Sequence, residues 1–487
     1  MARQAILAID EGTTNAKAIL VAHDGDIIAC GSSPVPIEHP KSGWVQQDAD
    51  AIWNATQEAI AACLASKPDT QVVAIGISNQ RESILLWDRK TGEALGPVIS
   101  WQCRRTAEAC NALKDAGHEP DVIARTGLPL DPLFPPTKVS WLLENHGSAA
   151  ADICIGTVDS WLIWKLSGGT VHATDRSNAA RTQLFNLAEG CWDSKLCDIF
   201  GIDPAMLPNV HDSAHIFAKT KDAGAVPSDI PVASAIGDSH AALFGHGAFG
   251  PGDGKITVGT GSSIMATIPQ YIAPPAGITT TIAWSLDGQS TFAFEGNILV
   301  SASILPWTAT LLGLPDVESL LELAQSVDSS EGVSLVPAHV GLGSPHWNSE
   351  ARGLINGLSF GAGPAHVARA SAESIALQVY DVFAIMAEAA GGIGRLSVDG
   401  GPSRNSFLMQ MMADYLDQSV FPCRNAEVSA LGAAHLAGLA SGFWPDLDAL
   451  GKLANYRPAL EPAMEASLRQ KRLENWRNAI ARTVAAL

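Results

Sequence analysis

Three glycine turns hold the side chains through which this chain could bind a nucleotide. The first, Asp10-Glu11-Gly12-Thr13-Thr14, directly follows the apolar run Ala5-Ile6-Leu7-Ala8-Ile9, so it reads as a buried strand entering a tight turn. Such a turn can aim backbone N–H groups at a phosphate, two hydroxyls add donors, and Asp10 can hold magnesium directly or through water. An acidic hairpin turn without a ligand explains these five residues equally well. The second turn, Gly259-Thr260-Gly261-Ser262-Ser263, follows Lys255-Ile256-Thr257-Val258 and repeats the theme. The third, Asp399-Gly400-Gly401-Pro402-Ser403-Arg404-Asn405, closes the run Leu396-Ser397-Val398 and precedes a helical stretch from Phe407 to Tyr415. Paired glycines let a flat base or ribose approach the backbone, and Asn405 supplies an amide. Together the turns read as the phosphate and nucleoside ends of one split ATP site.

The common phosphate loops do not fit. Gly250 to Lys255 resembles a Walker A element only superficially, because the glycine spacing is wrong and Ile256 stands where Ser or Thr should follow the lysine. Gly391-Gly392-Ile393-Gly394 lacks both a preceding strand and the full dinucleotide-binding pattern.

The elements that must position these turns alternate between strand-like runs and amphipathic segments, the pattern of an α/β protein. Ile6 to Ile9, Ala18 to Ala22 and Val72 to Ile77 read as strands, and Asp50 to Leu64 as a helix with Ile52, Ala55, Ala59 and Cys63 near one face. The glycine-rich segment Gly245 to Gly254 breaks any regular element near the middle of the chain. It divides the chain into 1–247 and 248–487, and a Gly/Thr turn opens each half, which suggests a duplicated domain closing on one nucleotide.

Length and composition agree. A chain of 487 residues with 47% hydrophobic residues supports two large cores. Its net charge of −19 argues against nucleic acid or an anionic membrane as the main partner. Eight cysteines, at 30, 63, 103, 110, 154, 191, 197 and 423, form no CxxC pair. The opening Met1-Ala2-Arg3-Gln4 runs into a strand without the apolar core of a signal peptide, so a soluble cytoplasmic protein with reduced thiols is expected.

Beyond the turns, Asn79-Gln80-Arg81-Glu82, Trp101-Gln102-Cys103-Arg104-Arg105-Thr106, Gly156-Thr157-Val158-Asp159-Ser160-Trp161-Leu162, Thr174-Asp175-Arg176-Ser177-Asn178-Ala179-Ala180-Arg181-Thr182 and Val398-Asp399-Gly400-Gly401 follow one another in a fixed order. In these segments the chain resembles the FGGY family of carbohydrate kinases, and within it the glycerol kinases, over nearly its whole length. The resemblance implies two actin-like (ribonuclease H-like) α/β domains, with ATP, Mg2+ and a small polyol or sugar meeting in the cleft between them. It implies transfer of the γ-phosphoryl group to a terminal hydroxyl. Asp238, in Ile236-Gly237-Asp238-Ser239-His240, matches the base that accepts the proton of the attacking hydroxyl. Outside the family context a Gly-Asp-Ser before Ala241-Ala242-Leu243 would read as a helix N-cap.

The same resemblance gives Arg81 and Glu82 the hydroxyl-binding pair and Trp101 the wall against the carbon chain. Thr13, Thr14 and Thr260, with Gly12 and Gly259, are the candidates to hold the transferring group; Gly400, Gly401 and Asn405 face the nucleoside; Asp10 helps place magnesium. Lys17 stands where glycerol kinases commonly carry an arginine near the phosphates, and a surface salt bridge is its alternative role.

Three pocket positions depart from the glycerol kinases. Leu133 replaces the tyrosine of an Asp-Pro-Tyr-Phe motif, Ser239 replaces a glutamine beside the catalytic Asp, and Ser263 stands near an expected phenylalanine. A larger, differently polar pocket follows, suited to a four- or five-carbon sugar alcohol or ketose (erythritol- or xylulose-like), with glycerol a poor substrate. Lys219 to Pro227 also lacks the Gly-Thr-Arg pattern of sugar-bisphosphate inhibition. Homodimers are common in the family. A non-catalytic actin-like sensor is the alternative from another class, and Asp238 with Arg81 and Glu82 counts against it.

Overall fold

The apolar runs form two six-stranded sheets in the computed structural model, which describes residues 3–147 and 152–485. Met1 and Ala2 of the N-terminal stretch lie outside the described residues. In the first half, β1 (Arg3–Glu11), β2 (Asn15–Ala22), β3 (Ile27–Pro34), β4 (Thr70–Asn79), β5 (Ala214–Lys219) and β6 (Pro231–Gly237) lie in the order β5-β6-β4-β1-β2-β3. In the second, β7 (Gly254–Val258), β8 (Ser262–Ile268), β9 (Thr279–Leu286), β10 (Gln289–Ile298), β11 (Leu396–Asp399) and β12 (Val420–Pro422) lie in the order β9-β10-β8-β7-β11-β12.

The two sheets repeat one design. β1 pairs antiparallel with β2 and parallel with β4, while β7 pairs antiparallel with β8 and parallel with β11. The first and second turns are therefore the same hairpin used twice, and the third turn ends the parallel neighbour of the second hairpin. Ala5 to Ile9 are fully buried because the sheet is covered on both faces, which is why that run lacks alternation.

Helix α1 (Ala49–Ala65) covers one face of the first sheet. Asp48 caps it by accepting from the Ala51 N–H, and Ile52, Ala55, Ala59, Ile60 and Cys63 are buried against β2 and β3. Helix α2 (Pro136–His146) and helix α3 (Val158–Leu166) belong to an insertion before β5, and helix α4 (Asp238–Gly245) leaves the end of β6. In the second half, the long helix α5 (Pro364–Ala390) and helix α6 (Ser406–Leu416) pack around the second sheet's core.

Helix α7 (Val428–Ser441) follows the second sheet in sequence but packs on the first, against β4, β1, β6 and α4. Its Ala430, Leu431, Ala433, Ala434, Leu436 and Ala437 share a core with Ile6, Ala8, Ile19, Ala74 and Ile236. Glycine makes this contact close: a Cβ on Gly432 would run into the Ala241 carbonyl, and one on Gly76 into the Ala433 carbonyl.

Candidate active site

Strand register brings the polar residues together. Asp10 on β1, Ser78 on β4 and Ile236 on β6 lie side by side, as do Glu11, Asn79 and Gly237. These three parallel strands all point their C-terminal ends at the same place, so the residues that follow them converge there. Asp238 is the first residue of α4, with Gly237 and not Asp238 in the N-cap position. The Arg81-Glu82 pair leaves β4 in a tight turn in which Glu82 takes φ of 60°, a strained value for a side-chain-bearing residue.

An alternating chain of buried charges runs through this point. Arg81 Nε lies 3.2 Å from Asp238 Oδ1, and Arg81 Nη1 lies 2.8 Å from Glu295 Oε1. Glu295 Oε2 lies 2.8 Å from Arg181 Nη1, and Arg181 Nε lies 2.5 Å from Glu82 Oε1. Glu295 belongs to β10 of the second sheet, so the network crosses from one half to the other. Burial alone would raise its pKa, but Arg181 and Arg81 overcome this and hold it well below the usual carboxylate range. Asp238 is the solvent-facing end, its side chain 41% exposed. Burial of its surroundings raises its pKa against the pull of Arg81, which suits a group that must accept a proton. Beneath it His240 is buried, and burial with Arg81 nearby lowers its pKa and keeps it neutral.

Asp10 is the one candidate metal residue on β1. Its Oδ1 accepts from Ser78 Oγ at 2.7 Å, and burial lifts its pKa to about 6. Among the described residues no group of three or more His, Cys, Asp or Glu side chains is placed to hold a metal. A single carboxylate fits magnesium, which usually keeps several waters and shares itself with substrate phosphates.

Trp101, the wall residue expected from the resemblance, is half-buried, and its Nε1 donates to Thr13 Oγ1 at 2.9 Å, joining it to the first turn. Lys138, absent from the sequence-based set, is fully buried on α2 and donates to the carbonyls of Ser100 and Leu133 at 2.9 Å and of Trp101 at 3.4 Å. It ties Leu133 to Trp101. Burial pulls its pKa well below the usual lysine range. Ser239 Oγ and Ser263 Oγ lie 3.0 Å apart, and Lys255 reaches both. Beyond Leu133 the space widens into a cleft of about 860 Å³ between the two halves, bordered by Arg104, Asp131, Ile278, Leu299 and Trp347.

The turns take up distinct geometries. Gly12 donates its N–H to the Asn15 carbonyl at 3.1 Å and does not take a positive φ. Thr14 and Thr260 are exposed, and Thr13 and Gly259 half-buried, at the two hairpin tips. Gly400 has φ of 93°, and a Cβ there would strike the Val258 carbonyl; a Cβ on Gly401 would meet no atom within 4 Å. Asn405 uses Oδ1 to cap α6 through the Leu408 N–H, which leaves its amide hydrogens free for other partners. Lys17 lies opposite Asp10 on β2 and makes a 2.7 Å ion pair with Glu427, just before α7. His246 Nε2 lies 2.6 Å from Asp399 Oδ2, fixing the third turn to the segment after α4.

Sequence reasoning did not find Glu295 or Lys138, and it quoted Lys255 and Arg181 without a role in the site. In the run Phe292-Ala293-Phe294-Glu295, strict alternation would send Glu295 to a polar face, yet it is fully buried.

Comparison with known proteins gives a consistent result. The N-terminal domain of the FGGY family of carbohydrate kinases matches residues 5–245, and the family's C-terminal domain matches residues 254–441. The chain is 45% identical to apulose kinase from Pectobacterium atrosepticum, over 98% of each chain. It is 42% identical to glycerol kinase from Rhodopirellula baltica, over 99% of this chain and 91% of that one. Among solved structures, Plasmodium falciparum glycerol kinase with ADP superposes with a TM-score of 0.94 at 28% identity, covering 99% of this chain and 98% of that one.

Proposed function

The chain belongs to the FGGY family of carbohydrate kinases, and from that premise we propose that it moves the γ-phosphoryl group of ATP to a terminal hydroxyl of glycerol or a related small polyol or sugar. The observation that carries this reading is Asp238: an accessible carboxylate with a raised pKa, held by Arg81 where the ends of three parallel strands meet. A hydroxyl is a poor nucleophile at neutral pH. An aligned carboxylate within hydrogen-bond reach orients it and takes its proton as the bond to phosphorus forms.

Most of the acceleration then comes from position and charge. Arg81 holds both Asp238 and a substrate hydroxyl, Trp101 supports the carbon chain, and Thr13, Thr14 and Thr260 bring two hairpin tips to the phosphates. Asp10 would help to hold magnesium, which when bound would neutralise phosphate charge. The third turn receives the nucleoside against Gly401. The reading extends to a cytoplasmic setting, supported by eight free cysteines and by the use of ATP.

A second substrate reading rests on Leu133, Ser239 and Ser263 and on the cleft beyond Leu133: a four- or five-carbon sugar alcohol or ketose is preferred, with glycerol secondary. The name of the apulose kinase relative is consistent with a substrate other than glycerol. An ADP-release screen across glycerol, tetritols, pentitols and ketopentoses tests both readings. ADP release that depends on one of these compounds is expected; release independent of all of them would overturn the proposal.

A further inference from the structure

Beside Asp238 lies a polar patch whose hydrogens can be counted. Lys255 on β7 is 1% exposed, and its Nζ lies 2.7 Å from Ser239 Oγ, 2.9 Å from Thr257 Oγ1 and 3.4 Å from Ser263 Oγ. An ammonium group only donates, so all three hydroxyl oxygens face it as acceptors. Thr257 directs its own hydrogen to Asp399 Oδ2 at 3.2 Å. Ser239 and Ser263, 3.0 Å apart, can place only one O–H between them. Whichever serine donates, the other keeps a hydrogen without a strong partner; the remaining neighbour is Met265 Sδ, 3.5 Å from Ser239 Oγ and a weak acceptor.

Both serines are half-buried and Ser239 adjoins the accessible Asp238, so that spare hydrogen can meet a ligand lying there. A hydroxyl that already accepts from a buried cation is a stronger donor and a poorer acceptor than a free one. The patch therefore attracts an oxygen that accepts and carries no hydrogen of its own. A secondary alcohol at the same place would bring a hydrogen for which the patch itself offers only lone pairs polarised by the ammonium, and an unpaired buried donor is costly. A carbonyl brings none.

Resting on the kinase reading above, we propose that the Ser239–Ser263 pair, held by Lys255, is a subsite for the carbonyl oxygen of a ketose whose terminal hydroxyl faces Asp238. Lys255 acts here as a specificity-determining residue through the two serines, and the class of substrate it selects is the open-chain ketose over the alcohol of equal length.

The test compares kcat/KM within matched pairs, erythrulose with erythritol, ribulose with ribitol and xylulose with xylitol, in the wild type, Lys255→Met, Ser239→Ala and the Ser239→Ala/Ser263→Ala double variant. Thermal melts confirm that each variant folds. In at least one pair the wild type should favour the ketose by about fivefold or more, the scale of one unmet buried donor. That ratio should fall toward one in the serine variants and in Lys255→Met, through loss of ketose turnover more than polyol turnover. An enzyme that uses the alcohol as well as the ketose in every pair overturns the subsite and leaves the kinase reading standing, as does a ketose preference that survives in the folded variants. An enzyme for which none of these compounds nor glycerol raises ADP release overturns both.

Discussion

At Asp238 shape and basicity can be separated. Asp238→Asn keeps the size of the side chain and removes its capacity to take a proton, so turnover should fall at least ~100-fold while ATP and polyol still bind. Steady-state kinetics with calorimetric binding checks this, and near wild-type turnover would require another base. Glu295 poses a different question, because it touches no substrate in the proposed mechanism and holds Arg81 and Arg181 from the opposite sheet. Glu295→Gln halves the charge that fixes Arg81, so kcat/KM for the polyol should drop about 10- to 100-fold, the scale of a small misplacement at the reacting centre. The same variant should keep a KM for ATP close to wild type, which a general loss of folding would not allow. A local motif pointed to Asp10, and the family resemblance, not local pattern, pointed to Arg81, Glu82, Trp101 and Asp238. Glu295 was not legible, because it is a lone charge in a strand whose partners, Arg81 and Arg181, lie more than a hundred residues away, and Lys255 was not, because its contacts are neutral hydroxyls that carry no charge pattern.

Turns and helices set the next scale. Gly400 is locked by its backbone, whereas Gly401 has open space where a side chain would stand. Gly401→Val should therefore fold normally and obstruct the nucleoside, raising the KM for ATP about tenfold with a much smaller change in that for the polyol. Equal changes in both would reject the assignment of the third turn. Helix α3 offers a pH-dependent probe. Its Asp159 is fully buried, and burial together with the nearby Asp175 raises its pKa from 3.8 to about 7, although the Thr157 and Thr174 hydroxyls donate to it. Between those values the folded protein keeps a proton that the unfolded chain has lost, so this group's stabilisation is full at the acid end and fades as pH rises to about 7. Asp159→Asn has nothing to lose, and its melting temperature relative to wild type should improve by a few degrees between about pH 5 and about pH 8. An unchanged difference would mean that Asp159 is ionised throughout. Helix α1 was legible from its apolar spacing. The alignment of Asp10, Ser78 and Ile236 was not, since parallel register between distant strands leaves no local pattern.

For the molecule as a whole, the proposed reaction needs two halves that approach each other over a phosphate that water must not reach. The segment from Gly245 to Gly254, which links α4 to β7 and is rich in glycine, is the expected hinge. Small-angle scattering with polyol and a non-hydrolysable ATP analogue should show a more compact particle than the free protein. Superposable curves at confirmed saturation would argue against closure. The duplicated sheet was legible from the repeated Gly/Thr turn. The destination of α7 was not, because Val428-Ser-Ala-Leu-Gly-Ala-Ala-His-Leu-Ala-Gly-Leu-Ala-Ser441 is small and apolar all round, which shows burial without naming the surface that buries it.

That destination also orders events during synthesis. The sheet made first leaves the ribosome with the face over β4 and α4 uncovered, and the helix that fits it emerges more than 180 residues after α4 is complete. Until then Gly76 and Gly245 border an apolar groove with no occupant, and the nascent chain must either hold that face open or shelter it with a chaperone. The last quarter of the message thus finishes the first domain, and a truncated transcript ending before Val428 yields a sticky half-core in place of an independent module.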